Sequence, residues 1–576
     1  MNTTLLPLPL ASDRKAGQGR GEGAPPTRPF PWEASYPPGL SWDVPLEIRP
    51  IPALLDAAIP EAPAITFGTK VLTYADLKSR ADRLARGLHA SGVRAGDAVA
   101  LLLPNSPAHP IAFFAALRLG ARIVHLTPLD PPRAILRKLE DSAARTLITQ
   151  KSPAFADIEA PNLDRLVIDT EWTPQPLPHG ALDLATLDGP EIPWPTLDPH
   201  EVALLQYTGG TTGHPRAAQL THANLTATVA IYDAWNNGLG RTFRAHDRIL
   251  CVLPLFHIYA LTAVLLRAVA NSVELVIHPR FDRDAVLHAI EHHRITHFNG
   301  VPTMWIALAS APNLETRDLS SLRIASSGGA ALPYEIGERF HALTGIRLGG
   351  GWGMTETAPA GTNLLPDRLP IPGEIGVPLP GVELEIVALD DPNKRLPQGE
   401  IGELRTRGPN VMKGYWNRPE DNAKAFIDGW FLTGDIGRME PDGTFVIVDR
   451  KKDMLISGGF NVYPRAIEEA IHEHPDIQEA AVIGIPDPYR GQAAKAFIVL
   501  KPGAPDLTLE SLRTFLSDRL GRHELPTALE RREHLPRTPV GKLSKKDLAE
   551  KPSPFGKGLD EGLTANHHPP QKQGEP

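Results

Sequence analysis

Residues 207–222 read YTGGTTGHPRAAQLTH. Three glycines, at 209, 210 and 213, are interleaved with Thr208, Thr211 and Thr212 and followed by one cation, Arg216. Glycine lets backbone N–H groups approach an anion closely and tolerates positive φ. The threonines add hydroxyl donors, and the arginine adds a fixed charge with a forked donor set. The chemistry this composition suits is the holding of phosphate. It is not the phosphate loop of P-loop NTPases, which needs Lys followed by Ser or Thr after its glycines. The alternative is a flexible Gly/Thr turn with no ligand.

Three other stretches carry dense polar motifs: GWGMTETAP at 351–359, GWFLTGDIGRMEPDGTFVIVDRKKDMLISGGFNVYPRAIEEAI at 429–471, and LPRTPVGKLSKKDL at 535–548. Together with the loop, and in this order, they closely resemble the adenylate-forming superfamily of acyl- and aryl-CoA synthetases, luciferases and peptide-synthetase adenylation domains. The resemblance extends over roughly residues 45–548, and the approach segment PWEASYPPGLSWDVPL (31–46) is most similar to bacterial long-chain fatty acid–CoA ligases.

The resemblance implies a two-step reaction. A carboxylate attacks the α-phosphate of ATP to give an acyl-adenylate and pyrophosphate, and coenzyme A then takes the acyl group. The first step brings two anions together and calls for positive charge and Mg²⁺. By resemblance, Lys542 is the catalytic cation, Arg216 serves the β- and γ-phosphates, and His257 in LPLFHIYAL lies near the acyl carboxylate. A lone histidine among apolar residues also suits a plain core role. ATP is expected to contact Thr208, Gly209, Gly210, Thr211, Thr212 and Gly213. The adenine-side backbone would come from Gly328, Gly329 and Ala330. Trp352, Gly353 and Thr355 would line the nucleotide, with Trp352 as a flat stacking face in place of the usual tyrosine. Asp435 would accept both ribose hydroxyls, and Arg450 would reach the ribose. Glu356 matches the Mg²⁺ ligand, since a hard oxygen suits that ion. Lys452 matches the hinge of the C-terminal domain, and Gly458 and Gly459 the coenzyme A face.

The chain departs from the family pattern at three places. Arg216 stands where lysine is usual, a change of donor geometry at constant charge. Ala217 replaces a glycine, at a cost of roughly 1 kcal/mol if that position needs positive φ. Gln492 stands where glutamate is common. Lys542, Glu356, Asp435 and Arg450 are all retained, which argues for an active enzyme.

The elements that must position these groups are legible in outline. Short apolar strands, such as ALLQY (203–207), RILCVLP (248–254) and SVELVI (272–277), alternate with amphipathic helices. Thr73 is expected to cap a helix from Tyr74 to about Ala90 with Asp76 at its third position, putting Leu77, Ala81, Leu84, Ala85 and Leu88 on one face. Further helices are expected near 259–270, 281–293, 464–473 and 509–520. The strand–helix alternation predicts an α/β fold with parallel sheets covered on both faces. The predicted layout is a disordered tail at 1–30, a large ATP- and acid-binding domain at 31–450, a small mobile α+β domain at 451–550, and a second tail at 551–576. The charged run DRKKD (449–453) is the expected boundary.

Composition limits the alternatives. Of the 576 residues, 42% are hydrophobic and 22% charged, and the net charge of −8 leaves no basic footprint for nucleic acid. The single cysteine, Cys251, excludes an internal disulfide and a cysteine metal site. No apolar run reaches the ~18 residues that span a bilayer. A cytoplasmic protein, with at most peripheral membrane contact at the inner face, is expected. The partners expected are a small carboxylic acid, ATP and coenzyme A, and oligomeric state is not legible. The leading expectation is a fatty acid–CoA ligase, most simply long-chain. The alternatives are a medium-chain, dicarboxylic or aryl acid ligase, or a non-catalytic nucleotide- or acyl-binding protein.

Overall fold

Thr73 begins the first long helix as its sequence requires. Its hydroxyl accepts from the Asp76 N–H, and the Asp76 carboxylate accepts from the Thr73 N–H, closing a capping box on Tyr74–Ala90. Leu77, Leu84, Ala85 and Leu88 of this helix are fully buried, and Ala81 nearly so. Its neighbour, Ala108–Arg118, is buried at every position. A helix apolar all round belongs between layers, and its side chains share one core cluster with both parallel sheets of this region.

The computed structural model describes residues 5–6, 29–150, 162–208, 216–366, 368–457, 460–537 and 543–550. The chain divides into two units, Met1–Lys451 and Lys452–Pro576. Among the described residues of the first, one sheet runs in the order Arg216–Thr221, Val202–Thr208, Arg122–His125, Ala98–Leu102, Thr146–Thr149, Arg165–Ile168, Leu182–Asp183. It is parallel except for its first pair. A second runs Gly349–Gly350, Ile324–Ser327, His297–Gly300, Arg248–Cys251, Glu274–Ile277, Pro63–Phe67, Lys70–Thr73, parallel except for its last pair.

The expectation of parallel sheets therefore holds for two layers and needs correction for a third. Thr362–Asn363, Glu374–Pro378, Phe445–Arg450, Trp430–Met439, Gly402–Arg407 and Glu383–Val387 form an antiparallel sheet. Its strands carry charge on their partly exposed positions, as in GELRTR, and they are joined without intervening long helices. Phe30, Trp32 and Trp42 pack with Phe445 and Met439 in the cluster beneath it. The helix expected near 259–270 is present, but Leu261–Leu266 is wound as a π-helix between two short α-helical pieces.

The second unit pairs Ile477–Asp487 with Gly491–Leu500, and the latter strand also takes Ala528–Arg531 in parallel and Leu455–Ser457, itself paired with Phe460–Val462. Pro464–His472 covers it through Ile467 and Ile471. The helix expected at 509–520 ends at Leu516, the last residue of its apolar face, and turns carry the polar run beyond it.

Candidate active site

The glycine-rich loop is framed by an antiparallel pair. Thr208 lies directly opposite Arg216, and Tyr207 opposite Ala217. Gly209, Gly210, Thr211, Thr212 and Gly213 lie outside the described residues. Both flanks are firmly held. Tyr207 donates its hydroxyl to Asp141, 2.9 Å away, and Arg418 pairs with the same carboxylate at 2.7 Å. Ala217 is fully buried in the strand Arg216–Thr221, and its backbone is not left-handed, so alanine at that position carries no conformational cost. Its carbonyl accepts from the Trp416 N–H at 2.8 Å.

Arg216 is one-third exposed and makes a side-on pair with Asp421, Nε to Oδ2 and Nη2 to Oδ1, each at 3.1 Å. Its guanidinium also lies over the Tyr415 ring, 5.6 Å from the centroid. The Tyr415 hydroxyl donates to Glu356 Oε1 at 2.9 Å. Glu356 sits in the short 3-10 turn Thr355–Thr357 and is buried. Burial pushes its carboxyl above the usual range, opposed by hydrogen bonds, the Tyr415 hydroxyl among them, and by the charge of Arg450. Burial and the neighbouring Glu356 in turn push the Tyr415 phenol up, so it remains a donor. A buried carboxylate whose direct partner is a neutral phenol fits Mg²⁺, which keeps most of its ligands as water and phosphate and needs few from protein. When bound, that ion would neutralise phosphate charge.

The pair expected at the ribose is assembled from the antiparallel sheet. Asp435 and Arg450 are cross-strand partners, and Arg450 Nε pairs with Asp435 Oδ1 at 3.0 Å. The other oxygen, Oδ2, accepts from the Trp352 indole N–H at 2.7 Å. Asp435 is 4% exposed while Arg450 is 53% exposed, so the acid is fixed and the base reaches outward. The indole thus spends its polar edge on Asp435. It packs against Gly361, where a Cβ would overlap the ring. Gly353 is required for a related reason, since a Cβ there would collide with the Pro359 carbonyl. Thr355 is partly exposed on the turn that presents Glu356.

Gly328, Gly329 and Ala330 leave the end of the strand Ile324–Ser327, with Gly329 at positive φ. Gly328 donates to the Gly300 carbonyl at 3.0 Å and lies against the Tyr259 ring. Tyr259, Asn299 and Ser326 form a hydrogen-bonded triangle beside it. His257 is the N-cap of the next helical turn, its Nδ1 accepting from the Tyr259 N–H at 3.3 Å. The segment before it is fixed by two buried amides that sequence reasoning did not single out. Gln206 donates to the Phe256 carbonyl, and Asn105 bonds Leu253, Leu255 and His278. Neither sits in a motif, so only the fold reveals them.

Lys542, Gly458 and Gly459 lie outside the described residues. Arg537 bridges to Leu543 across the segment holding Lys542, and Leu535 and Leu548 anchor its ends in one apolar cluster. Ser457 and Phe460 pair across Gly458 and Gly459. Gln492 accepts from the Ile456 N–H at 2.9 Å, a contact an amide oxygen makes as well as a carboxylate. Lys452 begins the second unit. Its predecessor Lys451 is held by Glu403 at 2.7 Å, and Glu403 also accepts from the Gly434 N–H. Glu403 is a further residue missed from sequence.

Comparison with known proteins identifies the family. Residues 56–416 match the AMP-binding enzyme family, and residues 466–542 match the AMP-binding enzyme C-terminal domain. The chain belongs to this family of adenylate-forming enzymes and is an acid–CoA ligase of the α/β type, with a large N-terminal and a small C-terminal domain. It is 36% identical over 570 residues to a long-chain-fatty-acid–CoA ligase of Bacillus subtilis, covering 93% of this chain and 99% of the relative. It is 39% identical over 495 residues to a feruloyl-CoA synthase of an Amycolatopsis species, covering 85% and 96%. The ATP-bound crystal structure of MatB from Rhodopseudomonas palustris overlays with a TM-score of 0.78 at 28% identity, covering 87% and 98%. Among the described residues, no helix is long and apolar enough to cross a membrane.

Proposed function

We propose that this chain activates a long-chain fatty acid, forming an acyl-adenylate with release of pyrophosphate and then the coenzyme A thioester with release of AMP. The observation that carries the choice of acid is the near full-length similarity to the Bacillus subtilis long-chain ligase. We place the acid pocket beside His257, along residues 298–305 and 326–329, and its composition is consistent with that choice. Residues 298–305 and 326–329 include no lysine or arginine that would pair with a second carboxylate. Each methylene buried in an apolar channel contributes about 0.8 kcal/mol, so tail length alone can supply affinity.

In this proposal Asp435 receives the ribose hydroxyls, held in place by Arg450 and Trp352. Thr208, the following glycines and threonines, and Arg216 take the β- and γ-phosphates. Thr355 and Glu356 serve the phosphates and Mg²⁺. Gly328, Gly329 and Ala330 border the adenine, and His257 the carboxylate. Lys542 supplies the charge that lets carboxylate and α-phosphate meet. Lys452 is the pivot that brings it in and takes it away, and Gly458 and Gly459 then face coenzyme A. The enzyme works in the cytoplasm, with peripheral membrane contact at most.

Pyrophosphate exchange with hexadecanoic, octanoic, ferulic and dicarboxylic acids tests the substrate. Hexadecanoic acid is expected to give the highest kcat/KM; a preference for any other acid overturns that choice. One observation favours a second reading. The Tyr259–Asn299–Ser326 triangle is a set of polar groups suited to a ring hydroxyl, and the feruloyl-CoA synthase is 39% identical. Ferulic acid leading the panel would establish that reading. Lys542→Ala is expected to lower adenylate formation by about 10³-fold while sparing thioester formation from supplied acyl-adenylate. Equal loss of both steps would rule out the division of labour.

A further inference from the structure

The pair between Arg216 and Asp421 joins residues 205 positions apart, and Asp421 belongs to none of the motifs. We propose that Asp421 is a positioning residue for ATP: it grips one edge of the Arg216 guanidinium and so turns the other edge toward the polyphosphate. This rests on the phosphate role given to Arg216 above.

A guanidinium carries five N–H donors in a planar fork. Asp421 lies along the Nε edge, accepting a hydrogen bond from Nη2 and facing Nε as an ion pair at 3.1 Å. The two hydrogens of Nη1 and the second of Nη2 have no partner among the described residues. The Nη1–Nη2 edge is therefore available for two oxygens of one phosphate, the geometry in which arginine binds phosphate best. A lysine ammonium is a point charge on a flexible stem and cannot be aimed by a second partner in this way. The arginine that departs from the family pattern is thus matched by an acid placed to orient it.

The placement of Asp421 is firm. Residues 413–416 are zipped to 217–219 by backbone bonds, Trp416 N to Ala217 O, Lys413 N to Gln219 O and Gln219 N to Gly414 O. Asn422, the neighbour of Asp421, bonds both the N–H and the carbonyl of Tyr415. Tyr415 then supports the guanidinium from its face. The ion pair itself is partly exposed, so it adds little to stability and its value is orientation.

The proposal has a sign that a simple charge account reverses. A carboxylate beside Arg216 lowers the local positive potential. If charge alone mattered, removing it would tighten ATP binding. Positioning predicts the opposite. In pyrophosphate exchange with the full-length enzyme, Asp421→Ala is expected to raise KM for MgATP roughly five- to tenfold. KM for the acid and the thermal midpoint should be unchanged. Asp421→Asn, which keeps one acceptor and loses the charge, should fall between wild type and alanine. In an Arg216→Lys background, Asp421→Ala should no longer raise KM for MgATP.

A KM for MgATP that falls or stays level in Asp421→Ala overturns the proposal, as does an equal rise in the Arg216→Lys background. Arg216→Ala separates the two levels. If Arg216→Ala leaves ATP kinetics intact, the phosphate role itself fails. If it impairs them while Asp421→Ala does not, only the positioning role of Asp421 fails.

Discussion

Asp435 and Glu356 are both buried acids of the first unit, yet they are held in opposite ways. Asp435 has a cation on one oxygen, Arg450, and an indole N–H on the other. Its charge is balanced before any ligand arrives. Glu356 has a phenol on one oxygen, and the charge of Arg450 reaches it through space while that guanidinium is paired with Asp435. A buried carboxylate without a cation in direct contact is costly, and burial accordingly raises its pKa. The lesson is that one acid is balanced by fixed partners, and the other has no cation in direct contact among the described residues.

That contrast can be broken most forcefully at Glu356. Glu356→Gln is expected to lower adenylate formation by roughly 10²- to 10³-fold, with part of the loss recovered at high Mg²⁺. A variant within twofold of wild type would remove Glu356 from the metal's surroundings. Asp435→Asn should be milder and confined to ATP, raising its KM by roughly 10- to 100-fold, the value of hydrogen bonds to a charged group. Dependence on Mg²⁺ concentration should be unchanged. If both variants respond to Mg²⁺ alike, the division between the two acids collapses.

The pH dependence sharpens the same point with smaller effects. Burial holds the Glu356 carboxyl above its ordinary 4.5. Its contribution to folding is then largest where it is protonated and is lost as pH rises through the raised value. Binding of MgATP has the opposite sign, because a proton on Glu356 competes with the ion. Affinity should fall as pH drops through that value, by at most about tenfold per unit for one proton, and the slope should vanish in Glu356→Gln. A slope that survives in this variant assigns the proton elsewhere. Smallest is Trp352→Phe, which keeps the ring and removes the bond to Asp435. A rise in KM for ATP of roughly threefold to tenfold is expected, at the net value of one ordinary hydrogen bond. An unchanged KM would show that Arg450 alone suffices to hold Asp435.

Local rules made much of this legible. The capping box at Thr73 and Asp76 placed a helix to the residue because both partners lie within one turn. The strand ahead of the glycine-rich loop and the boundary near 449–453 followed from short-range pattern and charge. Asp435 and Glu356 were singled out by motif, and in the structure the charge of Asp435 acts on Glu356. What escaped has a common physical character. Asp421, Tyr415 and Glu403 act through partners from 48 to 205 positions away. The antiparallel sheet escaped because its strands owe their order to pairing with distant segments rather than to an alternation visible along the chain. Trp352 was read as a stacking face; that its N–H is committed to Asp435 depends on a contact across 83 positions.

The grip of Glu403 on both Gly434 and Lys451 has a consequence for anyone splicing domains from this chain. The strand that presents Asp435 and the last residue of the first unit are tied to the same carboxylate. A crossover placed between 434 and 451 would hand one side of that knot to a foreign sequence. A crossover after Lys451 leaves it intact, and coincides with the start of the second unit at Lys452.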